Sequence, residues 1–201
     1  MSWRDTLFVW RGALGANGSW RGRWVGAAAA DAAHADPPNE ASYAAAEADG
    51  EFEAALGANA QIAGGCVAES SRYSLDGDQW HEDDTHELAV AQSIDDGGGG
   101  SAVGSRLVAA SGGNEFGRFV SVGSLAGGVL CLARRYLQKR DERCAMRARD
   151  VLNAAAASGA TGGEAPWRTA AELMGATVRP RKRRRGEKPA LTNSSSRRAR
   201  V

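Results

Sequence analysis

Asn17-Gly18, set between two tryptophan-bearing segments, commits the start of the chain to a β-hairpin. Asn-Gly is the strongest short hairpin signal because both residues tolerate the positive φ that a tight reversal demands. The flanking segments are Leu7-Phe8-Val9-Trp10 and Trp20-Arg21-Gly22-Arg23-Trp24-Val25. A three-residue loop, Ala16-Asn17-Gly18 with Gly18 left-handed, pairs Leu14 with Trp20 and Trp10 with Trp24. That register gathers Phe8, Trp10, Leu14, Trp20 and Trp24 on one face and sends Arg11, Arg21 and Arg23 to the other. A two-residue loop opposes Trp24 to Arg11 and mixes the faces, so the first register is the one expected.

Downstream, strands are expected near 51–56, 62–75, 86–92, 105–111, 115–124 and 128–137. Asp76-Gly77-Asp78, Gly112-Gly113 and Gly127-Gly128 read as turns between them. Short strands at this spacing with glycine turns predict a mainly β fold, a small antiparallel barrel or sandwich. Residues 27–50 and 95–104, which include Gly97 to Gly100, read as loops. Asp141 is a helix N-cap with Glu142 in the first turn, predicting a helix to about Ala157. A second short helix is expected from Pro166, with Trp167, Ala170, Ala171 and Met174 along one side. The organisation is a β-domain over 1–140, a helical extension over 141–178 and a disordered basic tail over 179–201.

Charge is strongly segregated. Residues 179–201 hold ten Lys or Arg and one acid, Glu187, and the rest of the chain holds 15 basic and 23 acidic residues. A tail of net +9 thus hangs on a body of net −8, although the whole chain is only +1. Its basic residues are Arg179, Arg181, Lys182, Arg183, Arg184, Arg185, Lys188, Arg197, Arg198 and Arg200. A block of like charge stays solvated and acts as an interaction tail. Two clusters around the spacer Gly186 to Ser196 resemble a bipartite nuclear import signal, with Pro180 and Pro189 opposing helix. The expected partner is a nuclear import receptor, and the expected location nuclear, with cytoplasmic as the alternative. Weak, salt-sensitive contact with nucleic acid through the same cations is a further reading. Phosphates on Ser194, Ser195 or Ser196 would oppose those arginines. Residues 31–96 hold sixteen acids against the single base Arg72, so the tail has an acidic counterpart within the chain. Screening over about 8 Å at physiological salt keeps such docking loose.

Three scattered cysteines, Cys66, Cys131 and Cys144, form no disulfide framework and suit a reducing compartment. The N-terminus lacks the basic and apolar regions of a signal peptide, and Val120 to Ala133 is too short for a membrane span. No membrane partner is expected.

The most site-like cluster is His81-Glu82-Asp83-Asp84-Thr85-His86. Its histidines are five apart, not the four of a zinc-binding helix, and on a regular strand an odd offset sends them to opposite faces. A loosely held hard cation would draw on Asp76, Asp78, Glu82, Asp83 and Asp84, which lack the spacing of a calcium loop. Gly97 to Gly100 is not followed by the Lys of a phosphate-binding loop. Glu115 and Arg118 fall on different faces of a strand. Arg134-Arg135-Tyr136 offers bidentate contact to a phosphate or carboxylate, or packing against the acidic segment. No catalytic, cofactor-binding or metal-ligating set is assigned.

Two stretches carry resemblances. Trp10-Arg11-Gly12 with Trp20-Arg21-Gly22, and Asn114-Glu115-Phe116-Gly117-Arg118-Phe119-Val120-Ser121 with Leu132-Ala133-Arg134-Arg135-Tyr136-Leu137 and Asp141-Glu142-Arg143, resemble eukaryotic small β-domain proteins of uncharacterised activity. Gly18-Ser19-Trp20 is similar to the Gly-x-Trp of calycin barrels such as lipocalins. These resemblances imply a fold and no activity. The functional expectation is a nuclear, non-enzymatic binding or adaptor module meeting an unknown protein partner. The alternative is a calycin-like barrel, a small-ligand carrier or enzyme, if the tryptophan face lines a cavity rather than a filled core.

Overall fold

The structure, a computed structural model, describes residues 7–26, 50–57, 64–75, 79–92 and 105–158. Its strands are β1 Leu7–Leu14, β2 Ser19–Gly26, β3 Gly50–Ala55, β4 Cys66–Val67, β5 Ser70–Leu75, β6 Gln79–Val90, β7 Arg106–Asn114, β8 Gly117–Ala126 and β9 Val129–Tyr136. A 3-10 turn, Glu142–Ala145, and one helix, α1 Ala148–Ala157, follow. Eight strands run in the order β6-β5-β3-β2-β1-β9-β8-β7, and β7 pairs with β6 to close the ring. The short β4 adds on to the C-terminal half of β6, at Glu87 and Leu88. All pairings are antiparallel. The fold is therefore a closed up-and-down barrel rather than a sandwich, and it leaves none of its eight strands as a bare edge.

The hairpin has the expected register. Trp10 pairs with Trp24 and Leu14 with Trp20, and Gly18 has φ of 80°. A Cβ on Gly18 would run into the Gly57 carbonyl, so both the left-handed turn and the close approach of the β3 end require glycine there. Gly12 and Gly22 pair directly across β1 and β2, and a Cβ on either would meet the partner strand's carbonyl. Removing both side chains lets the hairpin coil tightly, as closure of a small barrel demands.

Two apolar clusters follow from strand alternation. Inside the barrel lie Trp10, Leu14, Trp20, Trp24, Phe52, Leu56, Tyr73, Leu88, Val108, Leu125, Leu130 and Leu132. Outside, Leu107, Ala109, Val120, Val122 and Leu137 are covered by Ala148, Val151, Leu152 and Ala155 of α1. Glu87 on β6 fixes this docking. Its carboxylate accepts from Arg147 Nη2 at 3.0 Å and from the Ala148 backbone amide at 3.3 Å, at the positive end of the helix.

Five expectations need correction. The stretch expected as one strand over 62–75 holds two, Cys66–Val67 and Ser70–Leu75, and Gly50, expected at the end of a loop, opens β3. Gly112-Gly113 is not a turn: both residues lie inside β7, opposite Phe119 and Arg118, and the reversal falls at Glu115-Phe116. β6 begins at Gln79, earlier than expected, because its first residues pair with β5. The helix expected from Asp141 is broken. Asp141 caps only the 3-10 turn, Met146 is extended, and α1 starts anew with Asp150 accepting from the Arg147 amide at 3.0 Å. The Asp76-Gly77-Asp78 turn, the 27–49 and 95–104 loops, the helix from Pro166 and the basic tail lie outside the described residues.

Candidate functional site

Interior positions on β5, β6, β7 and β9 carry polar side chains that a small barrel rarely buries. Register places Ser71 and Tyr73 of β5, Asn114 of β7, and Arg134 and Tyr136 of β9 inward. On β6 the pairing with β7 slips between Asp83 and Thr85, a β-bulge with Asp84 as the extra residue. One extra residue reverses the alternation beyond it. His81 and Asp83 before the bulge therefore share the inner face with His86, Leu88 and Val90 after it. This overturns the expectation that the two histidines face opposite ways.

Arg134 and Asp83 form a buried ion pair, their side chains 2% and 0% exposed. The guanidinium donates from Nη1 and Nη2 to the two carboxylate oxygens at 3.2 and 3.1 Å. It also lies over the Phe119 and Trp10 rings, 3.7 and 4.0 Å from their centroids. Asp83 accepts further from Ser71 Oγ at 2.8 Å and Asn114 Nδ2 at 2.9 Å. Burial works to raise the Asp83 carboxyl, but the Arg134 charge and these hydrogen bonds outweigh it and hold the group ionised. Burial works to lower the guanidinium's pKa and Asp83 more than restores it.

His86 Nδ1 lies 3.1 Å from Ser71 Oγ and 3.4 Å from Asp83 Oδ2. Because Ser71 gives its hydrogen to Asp83, Nδ1 carries the imidazole proton and donates to the serine oxygen. Nε2 is then a buried lone pair without a partner among the described residues, on a ring packed edge-on to Phe119. Burial, helped by the Arg134 charge, pushes the His86 pKa down to about 4, against the pull of Asp83. Ser71, His86 and Asp83 thus meet, but not as a nucleophilic triad. A triad needs the serine on one ring nitrogen and the carboxylate on the other, whereas here both converge on Nδ1.

Above this network, at the end of the barrel bearing the β7–β8 turn, lies a partly open cavity of about 220 Å³. It is lined by Phe8, Trp10, Trp24, Tyr73, Leu75, Phe116 and Tyr136. Trp10 and Trp24 stack at 6.1 Å, and Trp24 Nε1 donates to the Ser74 carbonyl at 3.1 Å. Asn114 Nδ2 reaches the Tyr73 and Tyr136 hydroxyls at 3.1 and 3.0 Å, linking the cavity floor to Asp83. Burial first, then Tyr136 and Asp83, raise the Tyr73 pKa, so its phenol is neutral. At the rim His81 stacks on Tyr73 and its Nδ1 contacts Glu115 Oε1, which ties the β7–β8 turn to β6. The opposite end is filled by Leu14, Trp20, Leu56, Leu125 and Leu130.

Of the clusters singled out in the sequence, Arg134 finds the carboxylate that its fork suits, and finds it in the acidic segment of its own chain. Glu115 and Arg118 go to different partners, His81 and Thr85. Glu82, Asp84 and Thr85 are exposed, and among the described residues no three metal-ligating side chains gather. Cys131 faces outward but is buried, and burial pushes its thiol up to about 11. Tyr73 carries no signal in the sequence, and Asn114 and Phe116 stand there only within the stretch that carries a resemblance, with no site role. The inward alternation of Tyr136 with Arg134 and Leu132 was the available signal for the β9 part. The ten basic tail residues, Arg179 to Arg200, lie outside the described residues. No family model, curated protein or solved structure matches the chain.

Proposed function

We propose that the protein is a binding barrel for a small, apolar, ring-bearing molecule held in the cavity beside the β7–β8 turn. The cavity itself carries this reading. Six of its seven lining residues are aromatic, and aromatic walls favour a planar guest through offset or edge-on contacts. An apolar cavity of about 150 Å³ takes up benzene, so about 220 Å³ suits a fused two-ring system. The buried network below supports the reading too. Arg134 and Asn114 hold Trp10, Tyr73 and Tyr136 in place, and walls fixed before binding lower its ordering cost. No lining residue is a carboxylate, imidazole or thiol, which favours retention of the guest over its conversion.

The test is titration of the intact chain with naphthalene, followed by tryptophan fluorescence. One-to-one binding is expected, and it should be lost in Leu75→Trp, which fills the cavity, while the urea midpoint of that variant stays near wild type. Failure of the wild-type chain to take up any two-ring hydrocarbon discards the reading. The basic tail supports a companion proposal about place: the barrel works in the nucleus, delivered by a bipartite-like signal.

A further inference from the structure

The cavity floor contains a hydrogen-bond donor that the protein leaves unused. Tyr73 is 2% exposed and forms part of the cavity wall. Its oxygen accepts from Asn114 Nδ2 at 3.1 Å, and no described residue takes its own hydrogen. The Asn114 amide cannot change this. It has two hydrogens for three oxygens, on Asp83, Tyr136 and Tyr73, and it offers Tyr73 no acceptor. A buried hydroxyl hydrogen without an acceptor costs free energy that an incoming acceptor would recover.

The charges nearby decide which acceptor. Arg134 is the cation nearest the floor, and its fork is already closed on Asp83 through two hydrogen bonds. Among the described residues no second cation acts on Tyr73 to compensate an anion there. Burial and Tyr136 first, then Asp83 and Glu115, act on Tyr73 to hold its proton against the opposing pull of Arg134, and a carboxylate in the same place would meet both acids. A cation meets the opposite difficulty, since it would face the hydroxyl hydrogen.

Resting on the cavity reading above, we infer that the Tyr73 hydroxyl is the polar recognition point of the cavity. The ligand class is a neutral, planar, ring-bearing molecule with one hydrogen-bond acceptor, a ketone, ester or lactone carbonyl, at its inner end. The aromatic walls take the rings and the phenol takes the carbonyl.

A matched set of probes tests this on the full chain: 2-acetylnaphthalene, its hydrocarbon analogue 2-isopropenylnaphthalene, 2-naphthoate, and the 2-naphthyltrimethylammonium ion. The ketone should bind about tenfold more tightly than the hydrocarbon, the value of one added hydrogen bond, and both should outbind the two ions. In Tyr73→Phe the ketone-to-hydrocarbon ratio should fall to about one. A ratio near one in the wild-type chain, or a ratio that Tyr73→Phe leaves unchanged, overturns the assignment of Tyr73 while leaving the cavity reading intact. Preference for the carboxylate or for the quaternary ammonium overturns the ligand class. Binding of none of the four overturns both. Should Tyr73→Phe not fold, the wild-type series still decides.

Discussion

Asp83 accepts hydrogen bonds from Ser71, Asn114 and both ends of the Arg134 guanidinium, and none of these groups can be removed without stranding another. Removing one partner of a buried pair leaves an uncompensated charge and costs roughly 3–5 kcal/mol, whereas replacing both with apolar groups is often neutral. Arg134→Met should therefore destabilise by roughly that amount, and adding Asp83→Leu should restore only part of it, because Ser71 and Asn114 then lose their acceptor; urea midpoints of the single and double variants check this. His86 gives a pH signature. Its pKa in the fold, about 4, lies below the ordinary 6.5. The unfolded chain therefore takes up a proton first as pH falls, and the stability present above 6.5 is lost between 6.5 and about 4. The full loss is roughly 3 kcal/mol. Asp83 has the same sign but acts lower, since its depressed carboxyl contributes until pH falls through the ordinary carboxylate range and below. Urea midpoints at pH 7.5 and 4.5 should fall more steeply for the native chain than for His86→Gln. Equal slopes would mean that His86 is not held neutral.

The β1–β2 hairpin and β6 show two ways in which an element carries its sequence. In the hairpin the information is local. Asn17-Gly18 sets the turn, alternation sets the faces, and the paired Trp10 and Trp24 follow. Trp24→Ala removes a ring stacked on Trp10 and hydrogen-bonded to Ser74 and should cost roughly 3–5 kcal/mol. Arg23→Ala, on the outer face, should cost less than about 1 kcal/mol. If Arg23→Ala shifted the urea midpoint more, the outer face would be the one that holds the hairpin. In β6 the information is not local. Nothing in His81-Glu82-Asp83-Asp84-Thr85-His86 announces a bulge, because the slip is set by the simultaneous pairing of β6 with β5 and with β7. The side-chain sum that matters, Asp83 against Arg134, spans 51 residues. Gly112 shows a third case. Its glycine serves close packing, since a Cβ there would strike the Phe119 ring and the Thr85 carbonyl, and the same residue in a sequence reads as a turn. Deleting Asp84 should bring His86 out of phase with Ser71 and unfold the barrel, whereas Asp84→Ala, at an exposed position, should be near neutral; circular dichroism and urea midpoints separate the two outcomes.

At the scale of the whole molecule, closure makes the cavity. Phe8 and Tyr136 come from the first and last strands, and they meet at 6.0 Å only because β1 pairs with β9. Alternation within each strand predicts inward rings, but not which rings end beside one another or that the space among them stays open. The charge map is the converse. The split between an acidic segment and a basic C-terminal stretch is read directly from the sequence, whereas the burial of Asp83 against Arg134 is not. The cavity and the tail thus make separable claims, one about what the barrel holds and one about where it acts. Among the described residues Arg134 is the buried cation of the barrel interior, and it is committed to Asp83, so it offers no basic site for an import receptor. Import, if it occurs through a basic signal, should depend on residues 179–201. The chain fused to a fluorescent protein should accumulate in nuclei, and the 1–178 truncation should equalise between nucleus and cytoplasm while keeping the same urea midpoint and the same naphthalene affinity. Replacing only Arg197, Arg198 and Arg200 by alanine should give partial loss, as a two-cluster signal requires. Equal nuclear accumulation of the intact and truncated chains would remove the import reading and leave the cavity reading untouched.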